Sequence, residues 1–137
     1  MATFLNPYLS FGDNTREAMT FYQAALGGDL HISTFGDMGN DDPAESGLVM
    51  HAALTTPGGL SLYAADTPAS MGPPESFGGF SVSLFGDDEA ELRGYWDKLS
   101  DGATIRMPLE KAPWGDTFGM FTDKFGVPWM VNISAAA

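Results

Sequence analysis

The feature that most constrains this fold is an internal repeat, in which part of the first half of the sequence returns 74 residues later. Phe11-Gly12-Asp13 returns as Phe85-Gly86-Asp87. In both copies a residue that commonly caps helices follows, with a glutamate three positions further on: Asn14 with Glu17, and Asp88 with Glu91. The chain is therefore predicted to contain two related units, in which corresponding helices begin at corresponding places.

Each copy continues with apolar residues at positions i, i+3, i+4 and i+7, a spacing that predicts one buried helix face. These residues are Ala18, Phe21, Tyr22 and Ala25 in the first copy, and Leu92, Tyr95, Trp96 and Leu99 in the second. Glycines follow both helices, at Gly27-Gly28 and at Gly102. Because glycine adopts positive φ at little cost, we expect these residues to end the helices.

One predicted strand precedes each helix and three follow it. The strands are expected at about residues 4–11, 29–35, 47–55 and 60–65, and again at about 80–85, 103–107, 117–122 and 127–133. Four-residue turns at 56–59 and 123–126 join the last two strands of each half. Each half therefore reads βαβββ, and the fold class is α+β. We expect one domain over residues 1–137, with module one at about 1–66, a Gly/Pro-rich linker at about 67–79 and module two at about 80–137.

Composition excludes several classes of function. The 137 residues include 6 Lys and Arg against 18 Asp and Glu, for a net charge of −12, so the chain cannot build the basic stripe that nucleic acid requires. Anionic membrane surfaces are disfavoured for the same reason. No apolar run approaches the roughly 18 residues of a membrane span, and the N-terminus does not resemble a signal peptide, so we expect a cytoplasmic protein. The absence of cysteine excludes disulfides and thiolate chemistry.

An ordered set of short motifs runs along the chain: Asn6–Phe11, Arg16–Tyr22, Leu26–Gly28, Val49–Ala52, Met107–Leu109 and, longest of all, Pro113–Asn132. With these motifs the sequence resembles the PhnB-like branch of the glyoxalase/bleomycin-resistance/dioxygenase superfamily, also called vicinal oxygen chelate proteins. The resemblance implies a glyoxalase-like fold, with two tandem βαβββ modules whose curved mixed sheets surround a small-molecule cavity, and a homodimer. The superfamily includes isomerases, dioxygenases, transferases and non-catalytic drug binders, so the fold alone does not give the activity.

The resemblance also implies where a metal would bind, because the superfamily's enzymes hold a divalent cation with His and Glu from four strand positions. Counting from the motifs places these positions at Pro7, Tyr63, Ser81 and Met130, and none of these is an imidazole or a carboxylate. We therefore predict no metal centre and no cofactor. The alternative is a metal-dependent lyase, isomerase or dioxygenase that uses displaced ligands such as His51 and Glu110.

Three side chains are candidates for acid–base catalysis: His51, Glu110 and Asp116. The sheet face that His51 occupies depends on the hairpin turn that follows it. A two- or four-residue loop would place His51 opposite the face of Tyr63, and a three-residue loop would place both on one face. The structural alternative for His51 is a hydrogen-bonded histidine packed under a helix.

Eight residues are predicted to line a ligand cavity: Tyr8, His51, Tyr63, Ser81, Trp114, Phe118, Met130 and Asn132. Trp114 follows a proline in a loop, which suits either the rim of a cavity or a buried anchor. The sequence has no nucleophile elbow, phosphate-binding loop, zinc-protease motif or dinucleotide fingerprint. A small-molecule-binding protein with an unidentified ligand is therefore the function that the sequence favours.

Overall fold

The chain divides into two units, Met1–Glu75 and Ser76–Ala137. The structure is a computed structural model and describes residues 3–73 and 77–135. The predicted linker includes a short 3-10 helix at Ala69–Met71, in the first unit. Pro74, which belongs to the same predicted linker, lies outside the described residues.

The first unit has the predicted βαβββ order and forms one four-stranded sheet with the strand order β1-β4-β3-β2. β1 runs parallel to β4, and the other neighbours are antiparallel. The elements are β1 (Tyr8–Phe11), α1 (Thr15–Leu26), β2 (Asp29–Thr34), β3 (Val49–Thr55) and β4 (Ser61–Asp66).

The second unit repeats this topology with the strand order β5-β8-β7-β6, so the prediction of two α+β βαβββ modules is confirmed. The elements are β5 (Val82–Gly86), α2 (Glu89–Leu99), β6 (Thr104–Lys111), β7 (Thr117–Thr122) and β8 (Pro128–Ile133). β6 is longer than predicted and continues through Pro108, which an edge strand tolerates because one side of it needs no ladder hydrogen bonds. β1 is shorter than predicted, because Phe4 and Leu5 are exposed and precede the strand.

The two helices begin differently, although their N-terminal sequences match. Asp88 caps α2 as predicted, since its side chain accepts a hydrogen bond from the backbone N–H of Glu91 at 3.1 Å. The corresponding prediction for Asn14 is wrong, because its side chain makes no capping hydrogen bond. The buried carboxylate of Asp66 takes that place and accepts from the N–H of Thr15 at 2.9 Å.

Each helix covers one face of the sheet in its own unit. In the first unit, α1 buries Ala18, Met19, Tyr22 and Ala25 against the sheet. The helical spacing predicted that Phe21 would be buried, but Phe21 is only half-buried. Met19 is fully buried instead. In the second unit the ring of Trp96 on α2 packs edge-on against Phe121, with 4.9 Å between ring centroids. The face of each sheet that its own helix leaves uncovered is called the open face below.

Candidate functional site

The open face of the first sheet brings together three of the predicted ligand-binding residues. Thr55 pairs with Ser61 across the hairpin, so an odd number of residues separates β3 from β4. Ala53 consequently lies opposite Tyr63, and His51, two residues before Ala53, shares the face of Tyr63. The predicted packing of His51 under a helix is therefore wrong, although the hydrogen bond that the same interpretation predicted is present, to the hydroxyl of Tyr8.

Tyr8, His51 and Tyr63 form what we call the aromatic cluster. The hydroxyl of Tyr8 lies 3.1 Å from Nδ1 of His51. The rings of His51 and Tyr63 meet edge to face, with centroids 5.1 Å apart and an interplanar angle of 88°. Tyr8 also meets Tyr63 edge to face, at 6.3 Å between centroids. Register explains the cluster, since Tyr8 is the direct partner of Tyr63 on the parallel strand.

The cluster combines apolar ring surface with polar groups. Burial raises the pKa of Tyr8 above its ordinary value of 10.0, so its phenol is protonated at neutral pH. A protonated phenol can donate its hydrogen to a ring nitrogen, and Nδ1 of His51 lies within hydrogen-bond distance of it. About half of the surface of Tyr8 remains exposed (52%), so a ligand can reach both ring and hydroxyl.

The strand register also tests the metal site that the resemblance implies. Tyr8 pairs with Tyr63, and Ser83 pairs with Met130. Pro7, found by counting, directly precedes Tyr8, and Ser81 lies two residues before Ser83, so the paired strand positions nearest to the counted ones are Tyr8, Tyr63, Ser83 and Met130. Phenol, hydroxyl and thioether groups are poor ligands for the divalent metals that His and Glu bind. Across residues 3–73 and 77–135 no group of three His, Asp or Glu side chains is placed to hold a metal ion, so these residues do not fit the superfamily's metal.

The open face of the second sheet carries further predicted residues. Phe118 pairs with Asn132, and Met120 pairs with Met130. Trp114 lies in the loop before β7 and meets Phe118 edge to face, with 5.8 Å between ring centroids. Trp114 is 63% exposed, so it is not the buried loop anchor that the sequence also allowed.

Two of the catalytic candidates lie beside this face. Asp116 accepts hydrogen bonds from the backbone N–H of Ala135 at 3.0 Å and from Nδ2 of Asn132 at 3.1 Å. These two bonds lower the pKa of Asp116 below its ordinary value, so the carboxylate is ionised and ties the loop to the C-terminal segment. Glu110 lies opposite Phe118 on the exposed edge strand β6.

Ser81 lines a cavity of about 270 Å³ in the second unit, together with Arg106, Met120 and Thr122. Sequence reasoning missed Arg106. It directly precedes the Met107–Leu109 motif but is not part of it, and its placement depends on a bulge in β6, where Ile105 and Met107 pair with the consecutive residues Phe121 and Met120. No sequence signal could have located that bulge.

A larger cavity of about 680 Å³ lies in the first unit, at the start of α1. Its lining includes the acidic side chains of Asp13, Glu17 and Asp66. The carboxylate oxygens of Asp66 already accept from the N–H groups of Thr15 and Val49, so its role here is structural. None of the predicted ligand-binding residues lines this cavity.

The chain is similar to known proteins over most of its length. Residues 5–131 match the family described as the Glyoxalase/Bleomycin resistance protein/Dioxygenase superfamily. The chain belongs to this superfamily. Protein YjdN of Escherichia coli strain K12 is 33% identical over 138 residues, and the match covers 94% of each chain.

Solved structures agree with this assignment. Protein PA1353 from Pseudomonas aeruginosa is 38% identical and superposes with a TM-score of 0.87, covering 98% of this chain and 100% of that one. A Bacillus cereus protein described as a putative 3-demethylubiquinone-9 3-methyltransferase, PhnB protein, is 25% identical with a TM-score of 0.75, covering 96% of this chain and 100% of that one. The chain is therefore similar to PhnB-like members of the superfamily over nearly its whole length.

Proposed function

We propose that this chain is a cytoplasmic, homodimeric binding protein for a small organic molecule and works without the superfamily's metal centre. The observation that carries the proposal is the aromatic cluster. Tyr8 and Tyr63 occupy paired strand positions, and His51 joins them through a 3.1 Å contact between its Nδ1 and the hydroxyl of Tyr8. Small-molecule sites are typically lined by aromatic groups with a few polar atoms that orient the ligand, and the cluster supplies both.

The side chains at the four paired strand positions support the part of the proposal that excludes a metal centre. Tyr8, Tyr63, Ser83 and Met130 offer no imidazole or carboxylate. The alternative is a metal-dependent enzyme with His51 and Glu110 as displaced ligands, and it would need at least one further ligand. The described part of the chain supplies no such group of three.

The homodimer is supported by large apolar side chains that stay exposed. Phe85 on the open face of the second sheet is 78% exposed, and Phe4 and Leu5 before β1 are more exposed still. Burying these side chains against a second copy of the chain would remove their apolar surface from water, which favours association. Within the described residues no helix is long and apolar enough to cross a membrane.

The description of the Bacillus cereus relative suggests methyl transfer, but this fold does not favour it. Nucleotide-type cofactors commonly bind where a glycine-rich turn joins a strand to a helix in an open parallel sheet. Both described sheets are instead four-stranded and mostly antiparallel. We therefore do not propose methyl transfer for this chain.

The test is a thermal-shift screen of the purified protein against small aromatic compounds, both neutral and charged. We expect at least one compound to raise the melting temperature in a concentration-dependent manner, since a ligand that binds only the folded state stabilises it by mass action. His51→Ala should reduce that shift. His31→Ala is the matched control, because His31 is exposed on the neighbouring strand β2 and belongs to no cluster described above.

Two results would contradict the proposal. If no compound stabilises the wild type, the chain is better explained as an assembly domain. If His51→Ala and His31→Ala respond equally to every compound, the aromatic cluster is not the binding site.

A further inference from the structure

The cavity in the second unit differs from the aromatic cluster in one respect, because a cationic side chain lines it. Its volume is about 270 Å³, just below the range of roughly 300–1,000 Å³ for sites of drug-sized ligands. A ligand there would be small. Its lining includes Phe77, Phe80, Ser81, Arg106, Met120 and Thr122.

Arg106 is positioned by the backbone. It is the extra residue of a β-bulge, since Ile105 and Met107 on either side pair with consecutive residues of β7. Bulges redirect a side chain and are enriched beside functional sites. The Nε of Arg106 donates to Oγ1 of Thr122 at 2.9 Å, which holds the guanidinium beside the cavity.

The remaining N–H groups of Arg106 have no acceptor among residues 3–73 and 77–135, and no described carboxylate pairs with it. Arg93, on the exposed side of α2, shows the contrast, because its Nε contacts Glu89 at 2.8 Å. Arg106 is itself exposed, so these N–H groups are open to an incoming ligand. The planar guanidinium matches the geometry of a carboxylate and can bind it through two parallel hydrogen bonds.

The rest of the cavity is suited to an apolar ring. Phe77 and Phe80 meet edge to face, with 6.3 Å between centroids and an interplanar angle of 72°. Met120 adds a polarisable apolar wall, and Ser81 adds a hydroxyl that can donate to an anion. The cavity therefore combines one cationic donor, one hydroxyl and aromatic surface.

We propose that this cavity binds a small aromatic carboxylic acid, with the carboxylate on Arg106 and the ring against Phe80 and Met120. The inference goes beyond the proposed function, because this cavity belongs to the second unit and the aromatic cluster to the first. The net charge of −12 opposes any anion at long range. Salt at physiological strength screens exposed charges beyond about 8 Å, so the direct contact with Arg106 decides the binding.

The experiment is an NMR titration of ¹⁵N-labelled full-length protein with benzoate, with benzamide as the neutral analogue of the same shape. We expect benzoate to shift the amide resonances of Ser81, Met120 and Thr122, and to bind at least about tenfold more tightly than benzamide, a factor equal to about 1.4 kcal/mol. Arg106→Gln should abolish this preference. Arg106→Lys should keep part of it, because lysine retains the charge but not the planar fork.

Arg93→Gln is the matched control and should leave benzoate affinity unchanged, because it removes a surface arginine that already has a partner. Equal affinity for benzoate and benzamide would overturn the inference, and so would an Arg106→Gln variant that binds benzoate like the wild type. Tighter binding of inorganic phosphate than of benzoate would assign the cavity to phosphate anions and overturn the aromatic part. A His51-dependent thermal shift with other compounds, in the same protein, would leave the proposed function standing in each of these cases.

Discussion

A substitution at Gly119 tests how closely the ring of Trp96 and the backbone of Leu109 approach β7. A Cβ atom added to Gly119 would lie 2.7 and 2.8 Å from two ring carbons of Trp96 and 2.9 Å from the Cα of Leu109. Favourable carbon–carbon contacts lie at about 3.5–4.0 Å. Trp96 is a rigid ring and Leu109 contributes backbone, so neither can move aside at little cost.

Two effects of Gly119→Ala oppose each other. Replacing a strand glycine removes an entropic penalty of roughly 0.5–1 kcal/mol. Overpacking costs roughly 1–3 kcal/mol. Because all three contacts are far inside the optimal distance, the overpacking cost wins, and we expect the free energy of unfolding to fall by about 1–2 kcal/mol. The same change should displace Phe118 and Met120, the neighbours of Gly119 that lie on the open face.

Urea denaturation measures this free energy, and Gly94→Ala is the matched control. Gly94 lies inside α2, and a Cβ added there meets nothing within 4 Å. Alanine should therefore stabilise the helix by about 1 kcal/mol. The two glycine-to-alanine substitutions are expected to have opposite signs. A Gly119→Ala variant as stable as the wild type would refute the close approach of α2 and β6 to this glycine.

Three further predictions concern the ends of elements. Gly28→Val should destabilise the protein by roughly 2 kcal/mol or more, because Gly28 has a φ of +91° and an added Cβ meets the backbone carbonyl of Thr55; an unchanged melting temperature would refute this. Asp88→Ala should cost about 1 kcal/mol in urea denaturation while Asn14→Ala costs almost nothing, since only Asp88 caps its helix; equal losses would contradict the difference. The lowered pKa of Asp116 predicts stability that is present above pH 3.8 and lost as the pH falls through the folded-state value. The loss of stability caused by Asp116→Asn should therefore be smaller at pH 3 than at pH 7. An equal loss at both pH values would contradict the lowered pKa.

The helices and strands could be predicted from sequence because regularly spaced apolar residues indicate an element with one buried face. The 74-residue repeat and the i, i+3, i+4, i+7 spacing placed both helices, and the strand patterns around them gave the eight strands of the described residues in the right order. The capping groups of the two helices could not both be predicted in this way. Asn14 and Asp88 look equivalent in sequence, yet Asp66 supplies the acceptor for the first helix, 51 positions away in the chain from Thr15. A contact between residues so far apart leaves no local pattern.

The residues of the candidate site could also be located only in part from the sequence. Tyr8 and Tyr63 could be brought together by counting along paired strands, to within one residue. The face of His51 required the hairpin register, which the turn sequence left open and the pairing of Thr55 with Ser61 determines. Arg106 could not be found at all, because a one-residue bulge on β6 decides where its side chain lies. Register and bulges depend on tertiary packing that a single sequence does not encode locally.

The central claim is that this member of the superfamily binds its ligand without a metal, and elemental analysis tests it most directly. The protein is purified without chelators, and Zn, Fe, Mn and Ni are measured per chain by mass spectrometry, in parallel with His51→Ala. The donor groups at Tyr8, Tyr63, Ser83 and Met130 predict far less than one ion of any of these metals per chain. Close to one ion per chain would contradict the claim, and loss of that ion in His51→Ala would establish a displaced metal site instead.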